Sequence, residues 1–554
     1  MGKLYYGDNL EIMRNHIKDE SIDLIYLDPP FNSQSNYNVL FKEKSGELSV
    51  SQIKAFSDFW HWDLQSSLTY DELVTSSAIP QTVSRAIKAI VDLLGQNDLS
   101  AYLVMMGIRL VEMRRLLKCT GSIYLHCDPT ASHYLKIIMD QVFKPENFRN
   151  EITWQRTSAH NDPKKYGNVA DIILYYTKSE KYTWNAQYTQ YSEKYVENFF
   201  RYKDDRGKYR LHDLTGPGRT TGESGKAWRK YDPSTRGRHW AIPSLVRNEL
   251  QVPDSVGIIE ALEIMEHNSR IVWSKNDVPS WKEYLADMPG VPLQNIWTDI
   301  PPVSSQSNER LGYPTQKPLA LLERIINASS NKGDIVLDPF CGCGTAIHAA
   351  QKLGRDWIGI DITHVAINLI RNRIQDAFRI YIDVEGEPKD LEGARELASQ
   401  DRFQFQWWAL SLIGARPVGD EKKKGSDRGI DGVIYNPRGK GQHYYGVAQV
   451  KSGHVKSGDI RDFRGTIERE KADYGIFVTL EDPSDPMKAE ALAAGFIKNA
   501  FGENIGKIQI ATIADLLKGI KPDLPARASV FEAAEREDGG KDTSGTNTSL
   551  DDIN

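Results

Sequence analysis

Two short stretches, far apart along the chain, hold residues whose types and spacing could do chemistry. The first is Asp338-Pro339-Phe340-Cys341-Gly342-Cys343-Gly344-Thr345. Glycines in such a turn let the backbone approach a ligand closely. Just before it, Asp334 to Leu337 predicts a short buried strand. Just after it, Ala346 to Leu353 predicts a helix and Trp357-Ile358-Gly359-Ile360-Asp361 a second strand ending in an acid. Strand, glycine turn, helix, strand and acid is the mononucleotide-binding half of a doubly wound sheet, in which Asp361 can grip a ribose hydroxyl pair. A plain tight turn fits the same residues. The second stretch is Asp28-Pro29-Pro30-Phe31-Asn32, and the predicted strand Ser21 to Leu27 runs straight into it. Its two prolines stiffen a loop that begins with a carboxylate.

Together these stretches resemble the amino-group DNA methyltransferases that use S-adenosyl-L-methionine. Asp28, Pro29, Pro30 and Phe31 match the catalytic motif of that family, and Phe340-Cys341-Gly342-Cys343-Gly344 is similar to its Phe-x-Gly-x-Gly cofactor motif. Tyr313-Pro314-Thr315-Gln316-Lys317-Pro318 looks like the segment these enzymes place before the cofactor loop. Catalytic motif first and cofactor motif last is the order of the permuted, beta class. The resemblance implies S-adenosyl-L-methionine held by Asp8, Thr315, Gln316, Lys317, Asp338, Pro339, Phe340, Gly342, Gly344, Thr345 and Asp361. Asp8 fits a helix cap equally well. It also implies double-stranded DNA as substrate, with the target base flipped out and stacked on Phe31. The Asp28 carboxylate and the Pro29 carbonyl would each accept a hydrogen of an exocyclic amine, localising its lone pair toward the methyl donor. Aspartate rather than serine at the first position favours adenine N6 over cytosine N4, as a tendency.

The elements that must position these loops follow an alternating pattern. Leu4 to Tyr6 predicts a strand, and a helix opens at Asp8 and runs to Ile17. Leu99 to Leu117 predicts an amphipathic helix with a basic end at Arg114, Arg115 and Lys118. Strands at 121–126, 151–154 and 172–176 and a helix at 134–142 complete a mostly parallel sheet covered on both faces. Phe56, Phe59, Trp60 and Trp62 read as core or lid aromatics.

At 554 residues there is length for three or four domains, and 40% hydrophobic with 26% charged content is ordinary for a globular protein. No apolar run reaches the length of a membrane span, and the first residues lack the apolar stretch of a signal peptide; a cytoplasmic protein is expected. The four cysteines, Cys119, Cys127, Cys341 and Cys343, fit a reducing compartment. With a net charge of −6, a nucleic-acid ligand requires a local basic surface. Tyr188 to Arg238 supplies the candidate: twelve Lys and Arg, from Lys194 to Arg238, interleave there with aromatics such as Tyr202, Tyr209 and Trp228. That mixture suits phosphate contacts and readout at groove edges. A solvated, irregular insertion also fits. In the beta class the target-recognition region lies in this interval, so 188–300 is assigned to it within a methyltransferase domain of residues 1–380.

Residues 381–400 are polar and acidic and read as a connector. A second globular pattern spans 401–525, with an apolar helix from Phe403 to Ile413 and strands at 431–434, 445–451 and 473–479. It resembles the Mrr-like branch of the PD-(D/E)xK nucleases, through Gly429-Ile430-Asp431-Gly432 and Gln449-Val450-Lys451. The fold class expected is therefore α/β: a Rossmann-like SAM-dependent methyltransferase sheet plus a smaller α/β PD-(D/E)xK nuclease-like domain. In that branch Asp431 and Gln449 would hold a divalent metal such as Mg2+, and Lys451 would reach the nucleophile or the scissile phosphate. Where relatives often carry a helix glutamate, this chain has Gln406. The tail at 526–554 has the composition of an unfolded segment.

Three readings follow. The first is an adenine-specific DNA methyltransferase fused to a nuclease-like domain, in restriction-modification or phage defence. The second is a metal-dependent endonuclease placed on DNA by its methyltransferase half. The third gives the C-terminal domain a non-catalytic binding role. A homodimer or a defence-system partner protein is an open expectation under each.

Overall fold

The computed structural model describes residues 2–30, 62–157, 166–304, 307, 309–311, 315–417, 429–439, 442–499 and 502–525, with the backbone of 37–39 and 53–56. Phe31, Phe59, Trp60, Tyr313, Pro314 and the tail from residue 526 lie outside the described residues.

Among the described residues, one sheet holds nine strands: β1 (Lys3–Tyr6), β2 (Ile22–Leu27), β3 (Leu117–Cys127), β4 (Phe148–Gln155), β5 (Ala170–Thr177), β6 (Ile296–Trp297), β7 (Ile335–Asp338), β8 (Asp356–Asp361) and β9 (Val384–Glu385). Their spatial order is β6-β4-β5-β3-β2-β7-β8-β1-β9. Only β5 runs antiparallel to its neighbours, β3 and β4. Every residue of β2 is buried, as expected of a central parallel strand covered on both faces. Chain order and sheet order disagree at β2 and β7, which are neighbours although far apart in sequence.

The helix Asp98–Leu116 departs from the amphipathic expectation: Ser100 to Leu110 are all buried. It packs against the helices Asn9–His16, Leu64–Thr75, Gln81–Leu94 and Pro129–Phe143, so almost no side of it meets water. A polar residue within such a run has to be satisfied by protein, and Arg109 is the one that matters below. Trp62 packs partly buried at the edge of this core, tilted against Tyr70.

The stretch expected as a connector is built. Val384–Glu385 pairs with β1, and the helix Leu391–Gln400 buries Ala394 against Phe405 and Trp408. Its apolar residues recur at helical spacing among the acids, which a reading by composition passes over. Beyond it, β10 (Arg416–Pro417), β11 (Gly432–Gly439), β12 (Gln442–Lys451), β13 (Tyr474–Thr479) and β14 (Ile508–Thr512) form a second sheet in that order. β11 and β12 make an antiparallel hairpin, while β12, β13 and β14 are parallel.

Residues 186–293 form a compact unit of their own. Its sheet runs Ile271–Trp273, Pro279–Tyr284, Gly207–Asp213, Tyr202–Asp204, all antiparallel, beside a core of Leu214, Trp228, Trp240, Leu262 and Trp281. Two expectations change here. Trp228 and Tyr231 are core residues rather than surface readers, although Phe199 and Tyr202 are exposed. The basic stretch is also matched by acids that follow it: Arg206 pairs with Glu249 and Asp287, Arg229 with Glu266, and Arg210 with Glu283. Sixteen Lys and Arg against fifteen Asp and Glu leave the unit near neutrality.

Candidate active site

Because β2 and β7 are parallel neighbours, with Val336 opposite Leu24 and Leu337 opposite Ile25, their C-terminal ends emerge side by side. Open α/β sheets bind ligands outside such ends. A cavity of about 230 Å³ lies there, lined by Asp28, Pro29 and Pro30 from one loop and by Asp338, Pro339, Phe340, Cys341, Gly342 and Cys343 from the other. Asp8, Tyr26, Arg109, Thr315, Lys317, Thr345 and Asp361 complete much of the wall. The two stretches singled out in the sequence thus share one site.

Asp28 is held asymmetrically. Its Oδ2 pairs with the buried Lys317 Nζ at 2.5 Å. Its Oδ1 is buried and has no hydrogen-bond partner. A buried acceptor left open costs free energy unless a donor arrives, so this oxygen is a prepared seat for an N–H.

The cofactor loop is shaped by its glycines and two acids. Gly342 and Gly344 have φ of 47° and 72°, and a Cβ on Gly344 would come within 2.6 Å of Ile370. Asp361 Oδ2 accepts from Gly342 N at 2.9 Å, and its Oδ1 accepts from the Thr363 N–H and hydroxyl. Oδ2 keeps a second lone pair, so a ribose hydroxyl remains chemically suited to it. Burial raises the Asp361 carboxyl despite these donors. Burial likewise pushes Asp338 well above the usual carboxylate range; the Phe340 N–H opposes this, and the charges of Asp28 and Asp361 add to it. Burial also raises the Cys341 and Cys343 thiols.

Asp8 does cap a helix: Oδ1 accepts from Leu10 N at 2.8 Å. Its Oδ2 also pairs with Arg109 at 2.7 Å. Arg109 Nε donates to Asn9, whose amide donates to the Pro339 carbonyl at 2.7 Å. One buried arginine thereby ties the first helix to the cofactor loop. Reasoning from sequence missed it, although a lone Arg inside Leu103-Val104-Met105-Met106-Gly107-Ile108-Arg109-Leu110 was signal enough. Arg373 was missed too: fully buried, it donates to the Cys343 carbonyl from behind the loop.

Two expected cofactor residues stand outside the cavity wall. The Gln316 amide accepts from Leu311 N and donates to the Glu309 carbonyl, so it holds the preceding segment. Gly344 takes the left-handed N-cap position of the helix Thr345–Lys352 and acts through its backbone.

In the second domain Asp431 hydrogen-bonds Gln406 and the backbone between Gln449 and Lys451. Its Oδ1 accepts from the Gln406 amide at 3.0 Å and its Oδ2 from Val450 N at 2.6 Å. Gln449 and Lys451 flank Val450 on β12 and share the opposite face. Among the described residues no three His, Cys, Asp or Glu are grouped to hold a metal ion. One carboxylate and amide oxygens fit Mg2+ only with water and substrate phosphate completing the shell.

Residues 22–372 match the family model described as DNA methylase, and residues 398–508 the one described as restriction endonuclease. The chain is 29% identical over 371 residues to the Type II methyltransferase M.EcaI of Enterobacter cloacae, covering 67% of this chain and 68% of that one. It is 26% identical over 367 residues to the Mod subunit of the Type III restriction-modification enzyme StyLTI of Salmonella typhimurium, covering 63% and 50%. Over 83 residues it is 49% identical to the DNA adenine methyltransferase YhdJ of Escherichia coli, covering 15% and 28%. It therefore spans about two thirds of the first relative's length and half of the second's.

Proposed function

Because the chain belongs to the DNA methylase family, we propose that it transfers a methyl group from S-adenosyl-L-methionine to adenine N6 in double-stranded DNA, within restriction-modification or phage defence. The observation that carries this reading is the buried, unpartnered Asp28 Oδ1 in the cavity that the Asp338–Thr345 loop also lines.

The cofactor would supply a sulfonium methyl as electrophile. An exocyclic amine is a weak nucleophile because its lone pair is delocalised into the ring. Asp28 Oδ1 would accept one amine hydrogen and the Pro29 carbonyl the other, turning the lone pair out of the ring plane as positive charge develops. Lys317 fixes the carboxylate by its other oxygen, so the seat is aimed before the base arrives. Asp361 and Asp8, as acceptors, suit the hydroxyls and the exocyclic N–H of a nucleoside, and the apolar part of the wall excludes water. Asp28, Pro29, Pro30 and Phe31 are assigned the transfer step. Asp8, Thr315, Lys317, Asp338, Pro339, Phe340, Gly342, Thr345 and Asp361 are assigned the cofactor.

Sequencing DNA from a host expressing the chain, with modified bases called directly, should show N6-methyladenine at one motif. Asp28→Ala should erase it while leaving cofactor uptake, measured by calorimetry, intact. Unchanged methylation in that variant rejects the assignment, and N4-methylcytosine in its place corrects the base.

For the second domain we propose metal-dependent DNA cleavage, with Asp431 and Gln449 holding the metal and Lys451 facing the phosphate. Absence of cleavage across several divalent metals and methylation states would leave it a binding module.

A further inference from the structure

Beside Asp28 a line of polar side chains crosses four adjacent strands. Tyr26 on β2, His126 on β3 and Asp171 on β5 are 2%, 0% and 1% exposed, in a sheet filled mostly with apolar residues. Tyr26 Oη lies 3.0 Å from His126 Nδ1, and His126 Nε2 lies 3.0 Å from Asp171 Oδ2. Arg156, just past β4, reaches Asp171 Oδ1 at 3.4 Å and is the part-exposed end. Tyr26 lines the cavity, two residues before Asp28. Apolar residues would fill such a sheet at less cost, since buried polar networks add little net stability. The line therefore calls for a use at its cavity end.

Its proton positions follow from its ends. Burial would raise the Asp171 carboxyl, but His126, Lys317 and Arg156 outweigh it and hold it below its ordinary value. Asp171 is thus a carboxylate, able only to accept, and it takes the hydrogen on His126 Nε2. If the ring carries only that hydrogen, its Nδ1 is bare and can accept. Burial keeps the Tyr26 phenol protonated, so its hydroxyl donates to that Nδ1. With its one hydrogen committed to His126, the phenol oxygen keeps only lone pairs for any other neighbour.

We propose that Tyr26 is a further acceptor in the methyl-transfer site, its hydroxyl locked as an acceptor by the positioning residues His126 and Asp171. This rests on the methyl-transfer reading above. As the methyl passes from sulfur to nitrogen, positive charge spreads over the methyl group and the amine hydrogens. A fixed lone pair beside Asp28 stabilises that charge without needing to reorient. Were His126 the other tautomer, Tyr26 would accept from it and turn its own hydrogen toward the same charge.

The test is a double-mutant cycle of Tyr26→Phe and Asp171→Asn in the full chain. Tyr26→Phe keeps the ring and removes the oxygen; kcat should fall about ten- to a hundredfold, with KM for DNA and calorimetric cofactor affinity within about twofold of wild type. Asn at 171 can donate to Nε2 and so drives the other tautomer. It should lower kcat similarly in wild type and add nothing in the Tyr26→Phe background. Nuclear magnetic resonance of isotope-labelled histidine should find His126 protonated on Nε2 in the wild type and on Nδ1 in Asp171→Asn. Full activity of Tyr26→Phe, multiplicative losses in the double variant, or a wild-type His126 protonated on Nδ1 overturns the proposal. A wild-type chain that methylates no DNA defeats the parent reading and this one with it; an active wild type with an unimpaired Tyr26→Phe defeats this one alone.

Discussion

Asp28 and Asp431 sit at comparable places, each where a strand of an α/β sheet meets a loop, yet their surroundings prepare them for different work. Asp28 is bridged by a lysine on one oxygen and left open and buried on the other. Asp431 has both oxygens capped by neutral donors, the Gln406 amide and the Val450 N–H. The first carboxylate is organised before its ligand arrives. In the second, each oxygen already accepts one hydrogen bond and keeps one further lone pair for a metal. The two carboxylates therefore differ in how many of their lone pairs are already taken, and by which kind of donor.

The largest effects should separate the two sites. Lys451→Ala is expected to lower metal-dependent cleavage about a thousandfold while methylation of the same DNA continues, with Asp28→Ala giving the reverse pattern. Loss of both activities in either variant would mean the sites are not independent. A smaller change should sharpen the contrast: Gln406→Glu replaces a donor by a second carboxylate beside Asp431 and should tighten Mg2+ binding roughly tenfold, read by calorimetry. Unaltered affinity would remove Gln406 from the metal's surroundings.

Arg109→Met tests how firmly the methyl-transfer site is held. It leaves Asp8 and Asn9 without their shared partner and should cost about 1–2 kcal/mol in unfolding experiments, reduced from the buried-pair figure because Asp8 is part-exposed. The smallest effect is a pH slope. Asp338 is held neutral above the usual carboxylate range, so its contribution to the empty protein's stability is present at low pH and lost as pH rises through its raised value. A cationic ligand favours the ionised form, so cofactor uptake should release a proton and strengthen as pH rises toward that value. Asp338→Asn should flatten the slope in calorimetry across buffers of different protonation enthalpy.

Much of the methyl-transfer site was legible in the chain because its parts are local. Prolines fix the Asp28 loop whatever surrounds it, and Gly342 and Gly344 are required by left-handed backbone in their own turn. The charge balance of the 186–293 unit is not legible in its basic stretch, for the opposite reason. Its cations are balanced by Glu249, Glu266, Glu283 and Asp287, which only folding brings to them. Periodicity reads the Asp98–Leu116 helix as amphipathic because it cannot count how many neighbours will cover an element.

By itself the sequence determined the two motifs, their permuted order and the second domain's Asp431, Gln449 and Lys451, since each depends on residue type and short spacing. Only the tertiary structure decided that Lys317 takes one oxygen of Asp28, that Arg109 braces Asp8 and Asn9, that Gln316 holds the backbone of Glu309 and Leu311, and that Tyr26, His126 and Asp171 line up across the sheet. Those pairings join residues from strands and helices distant in sequence. Hydrogen-bond geometry between them exists only once the sheet has set its strand order.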